Sequence, residues 1–434
     1  MNIILIDPEG IVSGLNTGLG YLTAVLKQKG HDVGVIDFNN KRGNEKQRLE
    51  AVKGADIAGI SIKSFTLAHA LKLGKIIKEI NPNITLIAGG PHITIDGRAF
   101  MIENKEFDMA VVGEGEQTLL EIASKKPLEK INGILYRKGN DVIANERRQW
   151  ANELDVLPFP NYDVFDSVDS EIDAYPLVTS RGCPYNCSYC SVGNVIGKVW
   201  RSRDAKNITE ELETAKEKYG SSGFKVLDDN FTLSVERAKE ICRMLIDKNI
   251  GMKWSCPNGI RADKLDNELL ALMKQSGCYS ISIGVETGDL DVFKAIDKGE
   301  KLEDIEKAVA MIKNAGIRAE GFFIIGLPGS TYEKDKVSIA FAKKLKLDSA
   351  SFGILVPYPG TRVWDWVNDK KNNVRFLRDW KDGFHVGAKP TATFETDSYK
   401  AEEMVKLYYN ANLHFMKLKN VPQVLKLALR KIFK

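Results

Sequence analysis

Long apolar runs are missing from this chain. No stretch approaches the roughly 18 unbroken apolar residues of a membrane-spanning helix. The opening MNIILIDPEG carries a short apolar run stopped by Asp7, Pro8 and Glu9. That is a first strand and not the core of a secretion signal, so a cytoplasmic protein is expected. A strong charge of one sign is missing too: 62 Lys and Arg face 58 Asp and Glu, a net charge of +4. A nucleic-acid partner would call for a larger, clustered basic excess, and none is expected. Low-complexity segments and fixed-period repeats are absent. Cysteine is scarce, with six in 434 residues. Three fall between 183 and 190, whereas Cys242, Cys256 and Cys278 are scattered. In a reducing compartment a tight cysteine group reads as metal or catalytic chemistry. The scattered three read as buried core residues, because a free thiol packs as a small hydrophobe.

What is present is enough for two or three domains with a sizeable core: 434 residues, 43% apolar and 28% charged. Residues 1–140 alternate strand and helix. IILI (3–6), VGVI (33–36), IAGISI (57–62), ITLIAGG (84–90) and MAVVGEG (109–115) are strand-like. TAVLKQKG (23–30) and ALKLGKIIKEI (70–80) are helical between them. This order implies right-handed βαβ units and a parallel, doubly wound sheet whose ligand lies at Gly-rich strand ends. GILYRKGNDVIA predicts a hairpin turning at Gly139-Asn140. Residues 141–170, with DVLPFPNYDVF, read as a linker. Six further strands follow over 171–365: YPLVTS, FKVLDD, MKWSC, YSISIG, RAEGFFIIG and SASFGIL. Helical stretches such as 235–249 and 303–316 separate them. Six βα units predict a partial (β/α)6 barrel of the TIM type, active at the carboxyl ends of its strands. The fold class is α/β throughout, with residues 366–434 a mainly helical C-terminal region.

The cysteine group reads TSRGCPYNCSYCSV, a C-x3-C-x2-C spacing over Cys183, Cys187 and Cys190. Thiolates are the ligands of iron-sulfur clusters, usually four. Three leave one iron open to a small molecule, a catalytic arrangement. A zinc site would favour a second CxxC pair, and none exists. With Tyr189 in the aromatic slot after the first barrel strand, the motif resembles that of the radical S-adenosylmethionine (SAM) superfamily. The resemblance implies a [4Fe-4S] cluster on Cys183, Cys187 and Cys190, SAM on the open iron, and Tyr189 near the adenine. VLDDNFT (226–232) resembles the segment that contacts the SAM amino group, which carries that role to Asp228, Asp229 and Asn230. ISIGVETG and GFFIIGLPGST bring Glu286 and Gly326 into the SAM set, and SCPNGIRAD places Arg261 near the SAM carboxylate or ribose.

A doubly wound domain ahead of this barrel resembles the cobalamin (B12)-binding branch of that superfamily, the match covering roughly 1–365. Its pieces are GLGYLTAVLKQKGHDVGVIDF, GISIKSFT, AGGPHIT and VVGEGE, followed by LPFPNYD. The resemblance implies cobalamin against Leu15, Asn16, Thr17, Gly18, Gly20, Ser61, Gly89, Gly90, Pro91, His92, Gly113, Glu114 and Gly115. Small residues at strand ends let a corrin approach the backbone closely. One departure stands out. Many cobalamin proteins carry D-x-H-x-x-G in the first βα loop. Here Ser13-Gly14-Leu15-Asn16-Thr17-Gly18 takes that place, with Leu15 where the histidine would be. His31, His69 and His92 read as surface or turn residues and not as cobalt ligands.

The implied activity is methylation of an unactivated carbon: a 5′-deoxyadenosyl radical takes hydrogen and methylcobalamin supplies the methyl group. The alternative is a cyclisation, rearrangement or oxidation with the same cofactors. Methylthiotransfer would need three further cysteines, and residues 1–182 hold none. A non-enzymatic cobalamin sensor would not need the cysteine motif. The expected partners are a small-molecule or lipid-like substrate and an electron donor such as flavodoxin or ferredoxin. The tail KLKNVPQVLKLALRKIFK (417–434) is basic and without acids. It could lie on an anionic membrane surface or dock on the barrel as a last helix. Trp366, Trp380, Phe384, Tyr408 and Tyr409 are expected to close the barrel mouth or to be core.

Overall fold

The structure, a computed structural model, describes residues 1–11, 13–383 and 390–415. Its first sheet has strands β1 (Asn2–Asp7), β2 (Asp32–Asp37), β3 (Ile57–Ser61), β4 (Thr85–Gly89), β5 (Met109–Val111), β6 (Ile134–Lys138) and β7 (Asp141–Ala144). They run in the order β2-β1-β3-β4-β5-β6-β7. The first five are parallel and covered on both faces, which is why their sequences are nearly continuous apolar runs. Alternation along β1 separates two cores. Ile3 and Leu5 pack towards the rest of the molecule, whereas Ile4 and Ile6 pack with Val52, Leu73 and Ile77 on the outer side.

Helix α1 (Thr17–Gln28) begins earlier than the apolar pattern suggests, because the Asn16 side chain caps it by accepting from Leu19 N at 3.2 Å. The hairpin β6–β7 pairs antiparallel onto β5, with Gly139 at positive φ in its turn. The N-terminal sheet therefore runs to Ala144, and the expected boundary at 140 would cut the hairpin in two.

The segment expected as a linker is an ordered strap. Val35 N donates to Val164 O at 2.9 Å, and Phe165 bridges to Val35 alongside β2. Tyr162 is fully buried and packs edge-on against Tyr175 at 5.5 Å. Aromatic side chains with no helical or strand period can still be core, which periodicity alone does not reveal.

The second sheet contains β8 (Ala174–Leu177), β11 (Gly223–Val226), β12 (Lys253–Ile260), β13 (Cys278–Glu286), β14 (Arg318–Ile325) and β15 (Ser349–Ile354). They are parallel in the order β15-β14-β13-β12-β11-β8, and no described residue pairs β15 with β8, so the barrel is partial. A short ribbon, β9 (Ser180–Arg181) with β10 (Arg201–Ser202), follows β8. The helix Ala401–Phe415 covers the β15 edge. There Asn412 accepts from Phe352 N at 3.0 Å and donates to Phe352 O at 2.9 Å, as a neighbouring strand would.

Cys242, Cys256 and Cys278 are buried, as expected. Among the described residues no helix is long and apolar enough to cross a membrane. Phe384 and the basic tail 417–434 lie outside the described residues.

Candidate functional site

The carboxyl ends of the two sheets face a shared cavity of about 370 Å3. Asn16 and Ser61 line it from the ends of β1 and β3, where the winding of the first sheet reverses. Val178, Ser180, Arg181, Leu227 and Asp229 line it from the barrel. Its floor is polar. The buried Asp7 carboxylate accepts from Asn16 Nδ2 at 2.9 Å and Lys63 Nζ at 3.1 Å. Burial raises the Asp7 carboxyl, while Lys63 and Asn16 pull it back down. Asn16 Nδ2 also reaches Ser61 Oγ at 3.1 Å.

Backbone shape makes the room. Gly90 has φ of +97°, and a side chain there would collide with the Ile62 backbone. An added methyl at Gly89 would meet no protein atom within 4 Å, so that strand end presents open space. Of the residues expected around cobalamin, Asn16, Thr17, Gly18, Ser61, Gly89, Gly90, Pro91, Gly113, Glu114 and Gly115 line this cavity.

Three others do not. Leu15 is buried in the apolar core, because it precedes the helix cap and turns inward. Gly20 lies under the strap, where any side chain would strike Tyr162 and Pro160. His92 is neither a surface nor a turn residue. It is 1% exposed in the helix Pro91–Glu103, 3.2 Å from Ser64 Oγ and stacked on Trp380 at 5.7 Å. Burial lowers its imidazole to about 4. Lys63, Tyr21, Thr94 and Leu227 line the cavity and were not anticipated. Lys63 alone has a legible signal, as the charge that ends the apolar run IAGISI.

The cysteine loop is residues 182–200, held between the paired strands β9 and β10. Gly182 starts it at φ of +89°, where a side chain would hit the Val199 carbonyl. Cys183, Cys187 and Cys190 line one cavity of about 330 Å3 with Tyr185, Asn186 and Arg362. Its turns are pinned: Ser188 N donates to Ile296 O, and Val363 N donates to Ser188 O, both at 2.9 Å. Among the described residues no three His, Cys, Asp or Glu side chains converge on a single-ion site. Burial pushes the Cys187 thiol up and the Cys190 thiol up to about 12.

The residues expected around SAM divide by environment. Asp228 is buried and consumed by the protein, accepting from Thr179 N and Ser180 Oγ at 2.6 Å and from Thr179 Oγ1. Asp229 accepts from Gly182 N at 3.1 Å and lines the shared cavity. Burial and the neighbouring Asp228 raise its carboxyl to about 6. Asn230 donates to Cys183 Sγ at 3.7 Å, and its buried Oδ1 has no partner. Ser188 Oγ is likewise buried without a partner.

Arg261 lies 3.5 Å over the Tyr185 ring, but its guanidinium is filled by Asp263 at 2.9 Å and Lys298 O at 2.7 Å. Glu286, at φ of +65°, pairs with the buried Lys298 at 3.1 Å, and its charge adds to burial in pushing the Tyr189 phenol well up. Gly326 lines a different cavity, of about 210 Å3, with Trp366, Phe394, Tyr399 and Met404. Trp380 is buried against Tyr358 and His92, which is the core alternative for that residue.

Two family descriptions match this chain: the B12 binding domain over residues 12–123 and the Radical SAM superfamily over 177–342. An uncharacterized methyltransferase of Pyrococcus horikoshii is 32% identical over 412 residues, covering 93% of this chain and 88% of that protein. The chain belongs to the cobalamin-dependent radical SAM enzymes. It is a methyltransferase-type member, and its cofactors are a [4Fe-4S] cluster, SAM and cobalamin. The anaerobic magnesium-protoporphyrin IX monomethyl ester cyclase of Rubrivivax gelatinosus is 26% identical, covering 81% of this radical SAM enzyme and 66% of the cyclase. Among solved structures, the radical SAM methyltransferase TsrM of Kitasatospora setae, with cobalamin and a [4Fe-4S] cluster bound, superposes with a TM-score of 0.73 at 16% identity. That match covers 87% of this chain and 81% of TsrM, and it shows a common fold.

Proposed function

We propose that this enzyme methylates an unactivated carbon of a small molecule held between its two sheets. The observation that carries the reading is the shared cavity, whose barrel wall includes Asp229, which accepts from Gly182 N in the cysteine loop, and Arg181, which directly precedes that loop. When bound, the cluster and SAM supply a 5′-deoxyadenosyl radical, and cobalamin supplies the methyl group. The chain binds, orients and keeps water out.

Cys183, Cys187 and Cys190 are the proposed cluster ligands, since all three line one cavity beside the barrel. Asp229 and the unpartnered Asn230 Oδ1 are the proposed acceptors for the SAM amino group, next to the cysteine loop. Arg261, Glu286 and Lys298 would brace that site from behind, since their charges are already matched by one another and by Asp263. Tyr189 is tied to this brace through Glu286. The open strand end at Gly89, with Gly18 in the first turn of α1, Gly113, Ser61 and Asn16 on the same wall, suits a corrin. Leu15 offers cobalt no donor, and Asn16, Ser61 and Lys63 would present polar groups to a bound cobalamin from the ends of β1 and β3.

A second reading, cyclisation or oxidation with the same cofactors, is favoured by the cyclase relative. A flavodoxin or ferredoxin is the proposed electron source. Membrane contact by the tail 417–434, with a lipid-like substrate, rests on its charge pattern alone. The test is anaerobic reconstitution with iron, sulfide and hydroxocobalamin, then metal counting and product mass. About four iron and one cobalt per chain, with a product heavier by one methyl, is expected. A product of another mass change would replace methylation by the second reading.

A further inference from the structure

Both ends of the cysteine loop are gripped by one carboxylate from the other sheet. Glu114, in the turn after β5, binds Arg181 Nη1 at 2.9 Å and Arg201 Nη1 at 2.8 Å. Arg181 and Arg201 are directly paired across the β9–β10 ribbon, the first just before the loop and the second just after it. Glu114 also accepts from Ala151 N at 2.9 Å. Glu116 holds the other Arg181 nitrogen at 2.7 Å. Arg201 reaches back into the loop itself, donating to Ile196 O at 3.0 Å. Trp150 packs beneath, against Arg201, Gly113 and Gly197.

The same residues face the shared cavity. Gly113, Glu114 and Gly115 line it from one side, and Arg181 with Val195 and Ile196 of the cysteine loop line it from the other. An occupant of that cavity therefore touches both partners of the ion-pair seam. A buried ion pair adds little to net stability, but breaking one side leaves an uncompensated charge, so it fixes one relative placement strongly. Placement of the Glu114 turn and placement of the Cys183 loop are thus one variable.

We propose that Glu114 is a positioning residue that couples cobalamin binding to cluster assembly, each raising the affinity for the other; this rests on the cofactor reading above. Coupling between two sites is reciprocal. The Arg181–Glu114–Arg201 grip transmits it, because the cavity occupant and the cluster each order one side of the same seam.

The test uses full-length protein in two forms, cluster-loaded and iron-free, titrated with hydroxocobalamin by absorbance. In the wild type, the cluster-loaded form binds cobalamin more tightly, by a factor in the range of roughly 5 to 150. In Glu114→Gln that ratio falls close to one. A merely structural seam would weaken both forms equally and leave the ratio intact, and that result overturns the proposal. Arg201→Lys keeps the charge and loses the fork, so it gives the same collapse and serves if Glu114→Gln does not fold. Glu116→Gln leaves the Arg201 contact and retains most of the ratio. A wild-type ratio of one overturns the coupling alone. No cobalamin binding in either wild-type form overturns the cofactor reading with it.

Discussion

Adjacent carboxylates meet opposite fates at the end of β11. Asp228 accepts three hydrogen bonds from Thr179 and Ser180, whereas Asp229 faces the cavity with one backbone donor. Asp228→Asn should therefore act on the fold, costing about 2–3 kcal/mol through lost charge-assisted bonds. Asp229→Asn should melt like the wild type and bind SAM about ten-fold more weakly, as loss of one such contact would cause. Thermal melts with SAM titrations separate the two, and weak SAM binding in a stable Asp228→Asn would reverse the assignment. His92 makes a pH prediction. Its folded imidazole titrates at about 4, below the ordinary 6.5, because burial penalises the charged form. The unfolded chain thus takes up a proton that the folded chain refuses. This site's contribution is full above about pH 6.5 and is lost as pH falls towards 4, worth roughly 3 kcal/mol in all. Denaturant midpoints at neutral and mildly acid pH should show a steeper decline for the wild type than for His92→Phe.

At the scale of elements, the open barrel has to protect the edge of β15. Asn412 does so by bonding both the N–H and the C=O of Phe352. Asn412→Leu keeps the size and removes both bonds, at a cost of about 1–3 kcal/mol. Hydrogen exchange should quicken at Phe352 before the central strands; uniform exchange would show that the edge is guarded otherwise. The βα alternation made both parallel sheets readable, since strands covered on two faces must be apolar almost throughout. The apolar period marks helix α1 late, because its start depends on the Asn16 cap. The order of the strap is not visible in the sequence pattern, because Tyr162 and Phe165 are buried by contacts with no local repeat.

At the scale of the molecule, one apolar core runs from Ile3 and Leu5 through Tyr162 and Tyr175 to Ala411. With the Glu114 seam beside it, the two sheets are not independent. Calorimetry should show one cooperative transition, raised by saturating hydroxocobalamin by about 2.7 kcal/mol at a hundred-fold excess over the dissociation constant. Two resolved transitions would contradict the continuous core.

The sequence by itself determined the cluster motif, the alternation of strand and helix and the Gly-rich strand ends, because spacing and apolar pattern are local properties. Only the tertiary structure decided which of Asp228 and Asp229 is free, that Leu15, Gly20 and His92 turn away from the cavity, and that Arg181 and Arg201 share Glu114. Each of those depends on what a distant segment brings alongside, and burial and pairing are set by neighbours in space.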